Sequence, residues 1–130
     1  MEKIQTIYNN IYSMLKDNTE LNKHVTNIYN YLPKTVTIPY LRLYVAGYNM
    51  LSQSSVKAKL SCDVYTYQMD NTFNIIKCIN STIQNIKCPN NAMVVQNNCT
   101  IIQNDEILHS IINFNIFITG DINEQIAIEN

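Results

Sequence analysis

Glycine is almost absent: Gly47 and Gly120 are the only two in 130 residues. Both glycine-rich phosphate cradles, G-x-G-x-x-G and the P-loop, are thereby excluded. A G-x-S-x-G nucleophile elbow cannot be written either. Histidine is equally scarce. His24 and His109 stand alone, without the spaced partners of an H-E-x-x-H metal helix. Arg42 is the one arginine, tryptophan is missing, and charged residues make up 15% of the chain with a net charge of −1. A nucleic-acid binder carries a basic patch or stripe, so no sequence-specific nucleic-acid partner is expected. The four cysteines, Cys62, Cys78, Cys88 and Cys99, contain no C-x-x-C pair, and their spacing gives no zinc pattern. Asp105 and Glu106 are adjacent on an expected turn, where two carboxylates diverge and make a poor acid/base pair. No catalytic residue, metal site or cofactor is nominated, and the chain reads as a non-enzyme. Met1-Glu2-Lys3 leads straight into an amphipathic segment, so no signal peptide is expected, and no run of about 18 apolar residues suggests a membrane span.

What is present is a globular pattern. Hydrophobic residues form 46% of the chain, enough for a core, and the length favours one domain over residues 1–130. The ordered core is expected over about 2–119, followed by an acidic tail, 120–130, carrying Asp121, Glu124 and Glu129. Ile4, Ile7, Tyr8, Ile11, Met14 and Leu15 recur at helical spacing and predict a helix over 2–17. Thr19 is placed to cap a short turn through His24. Residues 27–32 are β-like and stop at Pro33. Leu41, Leu43 and Val45 alternate with Tyr40, Arg42 and Tyr44, as in a strand. In a second strand over 57–67, Ala58, Leu60, Cys62, Val64 and Thr66 share one face. Asp70-Asn71-Thr72 signals the start of a helix to about Lys87. Its apolar face is Phe73, Ile76, Ile79, Ile83 and Ile86, with Ile75 at the edge. Two more strands, about 92–103 and 107–118, flank a turn at Gln103–Glu106. The fold class is α+β: a mainly antiparallel sheet with an N-terminal helix and one central crossover helix packed on one face.

Two features point to contact with other proteins. Tyr40, Tyr44, Tyr65 and Tyr67, with Arg42, lie on the sheet face opposite the aliphatic one. Tyr and Arg suit a protein interface, although a second packed layer would account for them equally. Residues 46–56 lose all periodicity and read as a long hairpin loop bearing Tyr48, Met50 and Leu51, apolar side chains in need of a partner.

The order of elements and four local stretches resemble the tail-completion, or tail terminator, family of long-tailed phages and gene-transfer-agent-like particles. The first is the helix Ile7-Tyr8-Asn9-Asn10-Ile11-Tyr12-Ser13-Met14-Leu15, followed by Asp17–Leu21 and Ile28-Tyr29. The second is Ile38-Pro39-Tyr40-Leu41-Arg42-Leu43, similar to the "P-Y-hydrophobic" opening of a family strand. The third is Lys59-Leu60-Ser61-Cys62-Asp63-Val64-Tyr65, with Tyr65 where the family often has Trp. The fourth is Asp105 and His109 ahead of a long alternating strand. Together they span about residues 4–119.

The resemblance implies a structural virion protein with no catalytic residue or cofactor. It would form a ring of copies of itself, commonly a hexamer, at the head-facing end of the tail tube. The ring would stop tube growth and face the head–tail connector protein. The chain would then reside in the bacterial host cytoplasm and afterwards at the neck end of the virion tail. In that picture Arg42, Tyr44, Tyr48, Met50, Leu51, Lys57 and Lys59 are the candidate contacts with neighbouring copies and the major tail tube protein. Two alternatives stay open. One is another head–tail adaptor or neck subunit. The other is a small ligand-binding or enzymatic α+β domain with a pocket at His109.

Overall fold

Ile4, Ile7, Ile11 and Leu15 are the four buried residues of the first helix, α1 (Glu2–Asp17), as their spacing predicts. The computed structural model describes residues 2–120, so the acidic segment 121–130 lies outside the described residues. Asn18 interrupts the helix and caps the next one, α2 (Thr19–Asn22), by accepting from the Leu21 amide at 2.9 Å. The cap expected at Thr19 therefore falls one residue earlier. Asn18 also donates to the Thr82 hydroxyl at 3.0 Å.

Five strands follow: β1 (Asn27–Tyr29), β2 (Tyr40–Ser52), β3 (Ser55–Thr66), β4 (Ala92–Asn104) and β5 (Ile107–Thr119). They form one sheet in the order β1-β2-β3-β5-β4, with β1 parallel to β2 and every other pair antiparallel. Helix α3 (Met69–Gln84) connects β3 to β4. The architecture is the expected α+β sheet with both long helices on one face. Val56, Ala58, Leu60, Cys62 and Val64 of β3 and Ile112, Phe114, Ile116 and Ile118 of β5 join α1 and α3 in a single buried cluster.

Two local expectations are corrected. Residues 46–56 are not a loop. β2 runs on to Ser52, β3 begins at Ser55, and the turn between them is only Gln53-Ser54. Register shifts between Val45 and Gly47 and between Met50 and Ser52 insert Ala46 and Leu51 as bulges. Each bulge switches the face on which the next side chain falls, so strand periodicity disappears from the sequence while the strand continues.

The second correction concerns α3. It starts at Met69, and Gln68 before it makes no side-chain capping bond. Asn71 instead holds His24, donating to its carbonyl at 3.2 Å and meeting its Nδ1 at 3.1 Å. The buried face is Thr72, Ile75, Ile79, Thr82 and Ile83, while Phe73 is 56% exposed. The two threonines satisfy their hydroxyls locally. Thr72 donates to the Gln68 carbonyl at 3.0 Å and Thr82 to the Cys78 carbonyl at 2.9 Å. A hydroxyl bonded within its own helix can be buried without penalty, which rotates the face away from Phe73.

Candidate functional site

The sheet face away from the helices is built from cross-strand rows. Tyr40 on β2 lies opposite Tyr65 on β3, which lies opposite His109 on β5. Their rings stack, with centroids 5.0 Å apart for Tyr40–Tyr65 and 4.2 Å for Tyr65–His109. Tyr29 on β1 meets Tyr40 edge-on at 5.9 Å. Beside this end of the row is an open cleft of about 590 Å³, bordered by Ile38, Tyr40, Tyr65, Tyr67, Ile102 and His109.

The next row is Arg42 opposite Asp63. The Arg42 guanidinium sits over the Tyr44 ring, 4.5 Å from its centroid. Asp63 Oδ1 is 3.5 Å from His109 Nε2, a nitrogen that is itself buried. Burial, with a further contribution from the Asp63 carboxylate, raises the phenol pKa of Tyr44 and Tyr65. Burial and then Tyr65 raise that of Tyr40. All three remain neutral hydrogen-bonding groups at physiological pH. A third row is polar. The Ser61 hydroxyl donates to Asn113 Oδ1 at 2.7 Å, and Asn113 donates to Asn98 Oδ1 at 2.8 Å.

The sequence-nominated residues divide between the two faces. Arg42, Tyr44, Lys57 and Lys59 are on this outer face. Lys57 and Lys59 border a shallow depression of about 320 Å³ with Tyr48, Asn97 and Asn115. Tyr48 and Met50 pair with Ala58 and Val56, so their side chains lie on the helix side of the sheet. Ala58 and Val56 are buried, yet Tyr48 and Met50 are 54% and 51% exposed, because β2 is the outer strand there. Leu51, at its bulge, is exposed as well. β4 was expected as a strand but carries none of the nominated contact residues. Met93, Val95 and Ile102 are exposed on it. The signal was available, since no charged residue or proline occurs from Ala92 to Asn104. His109 does border a cleft, but its buried nitrogen faces Asp63. Cys62 is fully buried on the opposite face, where burial pushes its thiol pKa up. Among the described residues, no group of three or more His, Cys, Asp and Glu side chains is placed to hold a metal ion. No helix among them is long and apolar enough to cross a membrane.

No protein-family model matches the chain, and no curated protein matches it either. The fold does have a solved counterpart. A chain in the structure of the virion of a native gene transfer agent particle superposes with a TM-score of 0.63. The match covers 85% of this chain and 92% of that one at 10% identity. The two share a fold over nearly their whole lengths.

Proposed function

We propose that this chain is a structural subunit of a phage-type particle, and within it a tail terminator. Copies would form a ring that caps the tail tube, stops its growth and presents a surface to the head–tail connector. The observation that carries this reading is the shared fold with a virion chain over most of both molecules. The order of elements, which resembles the terminator family, supports the finer assignment. So does an outer face on which Arg42, Tyr44 and Tyr65 are half-buried, residue types that suit a protein contact. Arg42, Tyr44, Lys57 and Lys59 would form one contact surface, and Tyr48, Met50 and Leu51 another, facing neighbouring copies or the last ring of the tube.

The test is polymerisation of the particle's major tail tube protein, followed by electron microscopy, with and without this chain. The expected result is shorter tubes, each with one end closed by a ring. Binding to the connector protein with no effect on tube growth would assign the chain to the neck adaptors. Failure to bind either protein would overturn the proposal.

A further inference from the structure

Among the described residues the sheet has two open edges. On one side β1 covers β2 only at Tyr40, Leu41 and Arg42. The next backbone group is covered by α1, whose Tyr8 hydroxyl donates to the Leu43 carbonyl at 2.7 Å. From Tyr44 to Ser52 no strand among the described residues lies outside β2. On the other side β4 is, among the described residues, the last strand over its full length, Ala92–Asn104. Open strand edges are templates for further pairing. Folded proteins commonly block them with lysine, with proline, with bulges, or with very short strands. Here neither Tyr44–Ser52 nor Ala92–Asn104 contains Asp, Glu, Lys, Arg or Pro. Bulges at Ala46, Leu51 and Asn97 bend the edges but leave Gly47–Met50 and Asn98–Asn104 as regular strand. Among the described residues twelve large apolar side chains are exposed. Seven of them are on these edges: Val45, Tyr48, Met50 and Leu51 on one, Met93, Val95 and Ile102 on the other.

We propose that the two edges are halves of one self-interface, with β4 of one copy pairing against the Tyr44–Ser52 stretch of β2 in the next. This rests on the ring reading and names the contact that would close it. The direction of the strands fits. Three antiparallel steps separate β2 from β4, so the two run oppositely. Copies carried around a ring axis without inversion therefore continue the antiparallel pattern across the junction. The two edges differ, so each copy offers one of each. Such head-to-tail contacts form a closed ring, or an open filament when the rotation does not close. Backbone hydrogen bonds supply the pairing, as in strand addition by peptides, and the uncharged side chains flanking both edges lose exposure together.

The test uses the full chain and two variants, each carrying lysines on one edge at positions already exposed. The first is Tyr48→Lys with Met50→Lys, and the second is Val95→Lys with Ile102→Lys. Circular dichroism verifies folding, and analytical ultracentrifugation reads size. The unmodified chain is expected to assemble. Each variant alone should associate at least tenfold more weakly and sediment as a monomer. An equimolar mixture should sediment as a dimer and no larger, because it contains one compatible junction.

Hydrogen exchange on the unmodified chain provides a reading independent of the variants. Amides in 44–52 and 92–104 should lose protection together on dilution to monomer. Assembly of both variants like the unmodified chain would overturn the proposal, as would an unmodified chain that stays monomeric. Loss of assembly only in the β4 variant would overturn it in favour of β4–β4 pairing. Assembly only after removal of residues 121–130 would show the chain's own tail on an edge, and would also overturn it. Failure here separates from failure of the functional reading. Variants that still form rings and cap tubes reject the edge contact alone, whereas edge-paired rings that ignore tubes reject the terminator role alone.

Discussion

Partly buried tyrosines lie on both sides of the sheet, and their titration is measurable. Tyr8 donates to the Leu43 carbonyl on the edge of β2, and burial raises its pKa from 10.0. The same sign holds for Tyr40, Tyr44 and Tyr65, again with burial as the largest cause. An acid whose pKa is raised by folding holds its proton more tightly in the native state. Its contribution to stability is therefore complete below its unfolded pKa of 10.0 and lost as the pH climbs through the raised value. Denaturant midpoints should fall as pH passes above about 10, and the fall should be shallower in Tyr→Phe variants at these positions. Separately, Tyr8→Phe should cost about 0.5–1.5 kcal/mol near neutral pH, read from urea unfolding, because the Leu43 carbonyl loses its donor. Gly47 offers the opposite case. A Cβ built there meets nothing within 4 Å, so Gly47→Ala should stabilise the strand by about 0.5–1 kcal/mol in a thermal melt.

At the scale of the element, α3 gives the sharpest contrast between exposed and buried positions. Ile79→Ala removes a side chain with no exposure from between helix and sheet and should cost about 2–5 kcal/mol. Phe73→Ala, on the same helix but facing outward, should change stability by less than about 0.5 kcal/mol. Equilibrium unfolding of the two variants measures whether the helix is rotated as described. Apolar spacing alone names Phe73 as core. It could not weigh Thr72 and Thr82, whose burial depends on hydroxyl bonds to residues four positions back.

The same distinction runs through the rest of the fold. β3 and β5 were legible because every second residue is buried, with Leu60, Cys62 and Val64 opposite Phe114, Ile112 and Ser110. The far half of β2 was not, because bulges at Ala46 and Leu51 break a period-two pattern. The Arg42–Asp63 pairing follows from the antiparallel register of β2 and β3. The stacking of His109 on Tyr65 and its approach to Asp63 required the order β3-β5-β4, which no local pattern encodes.

For the whole molecule, the uneven placement of the helices decides where stability is stored. α1 and α3 bury the middle of the sheet, so that Leu43, Leu60, Cys62 and Phe114 are almost fully enclosed. Among the described residues β2 beyond Val45 has a strand on one side only, and Tyr48 and Met50 remain exposed on the very face that is core a few residues away. Backbone bonds with little buried apolar surface around them open at low cost, whereas the centre of β3 is bonded on both sides and roofed by helices. Native-state hydrogen exchange of the monomer should therefore show amides at 47–51 exchanging at least tenfold faster than those at 60–64, a difference of about 1.4 kcal/mol in opening free energy. Equal protection in the two stretches would mean that the outer half of β2 is already supported within a single chain. It would then need no partner for its order, and the apolar residues along it would have to be explained by surface chemistry alone. A steep gradient instead puts the weakest part of the fold on the strand whose edge and side chains are both open. A neighbouring subunit that bonds to that edge would stabilise the part of the chain that gains most from it.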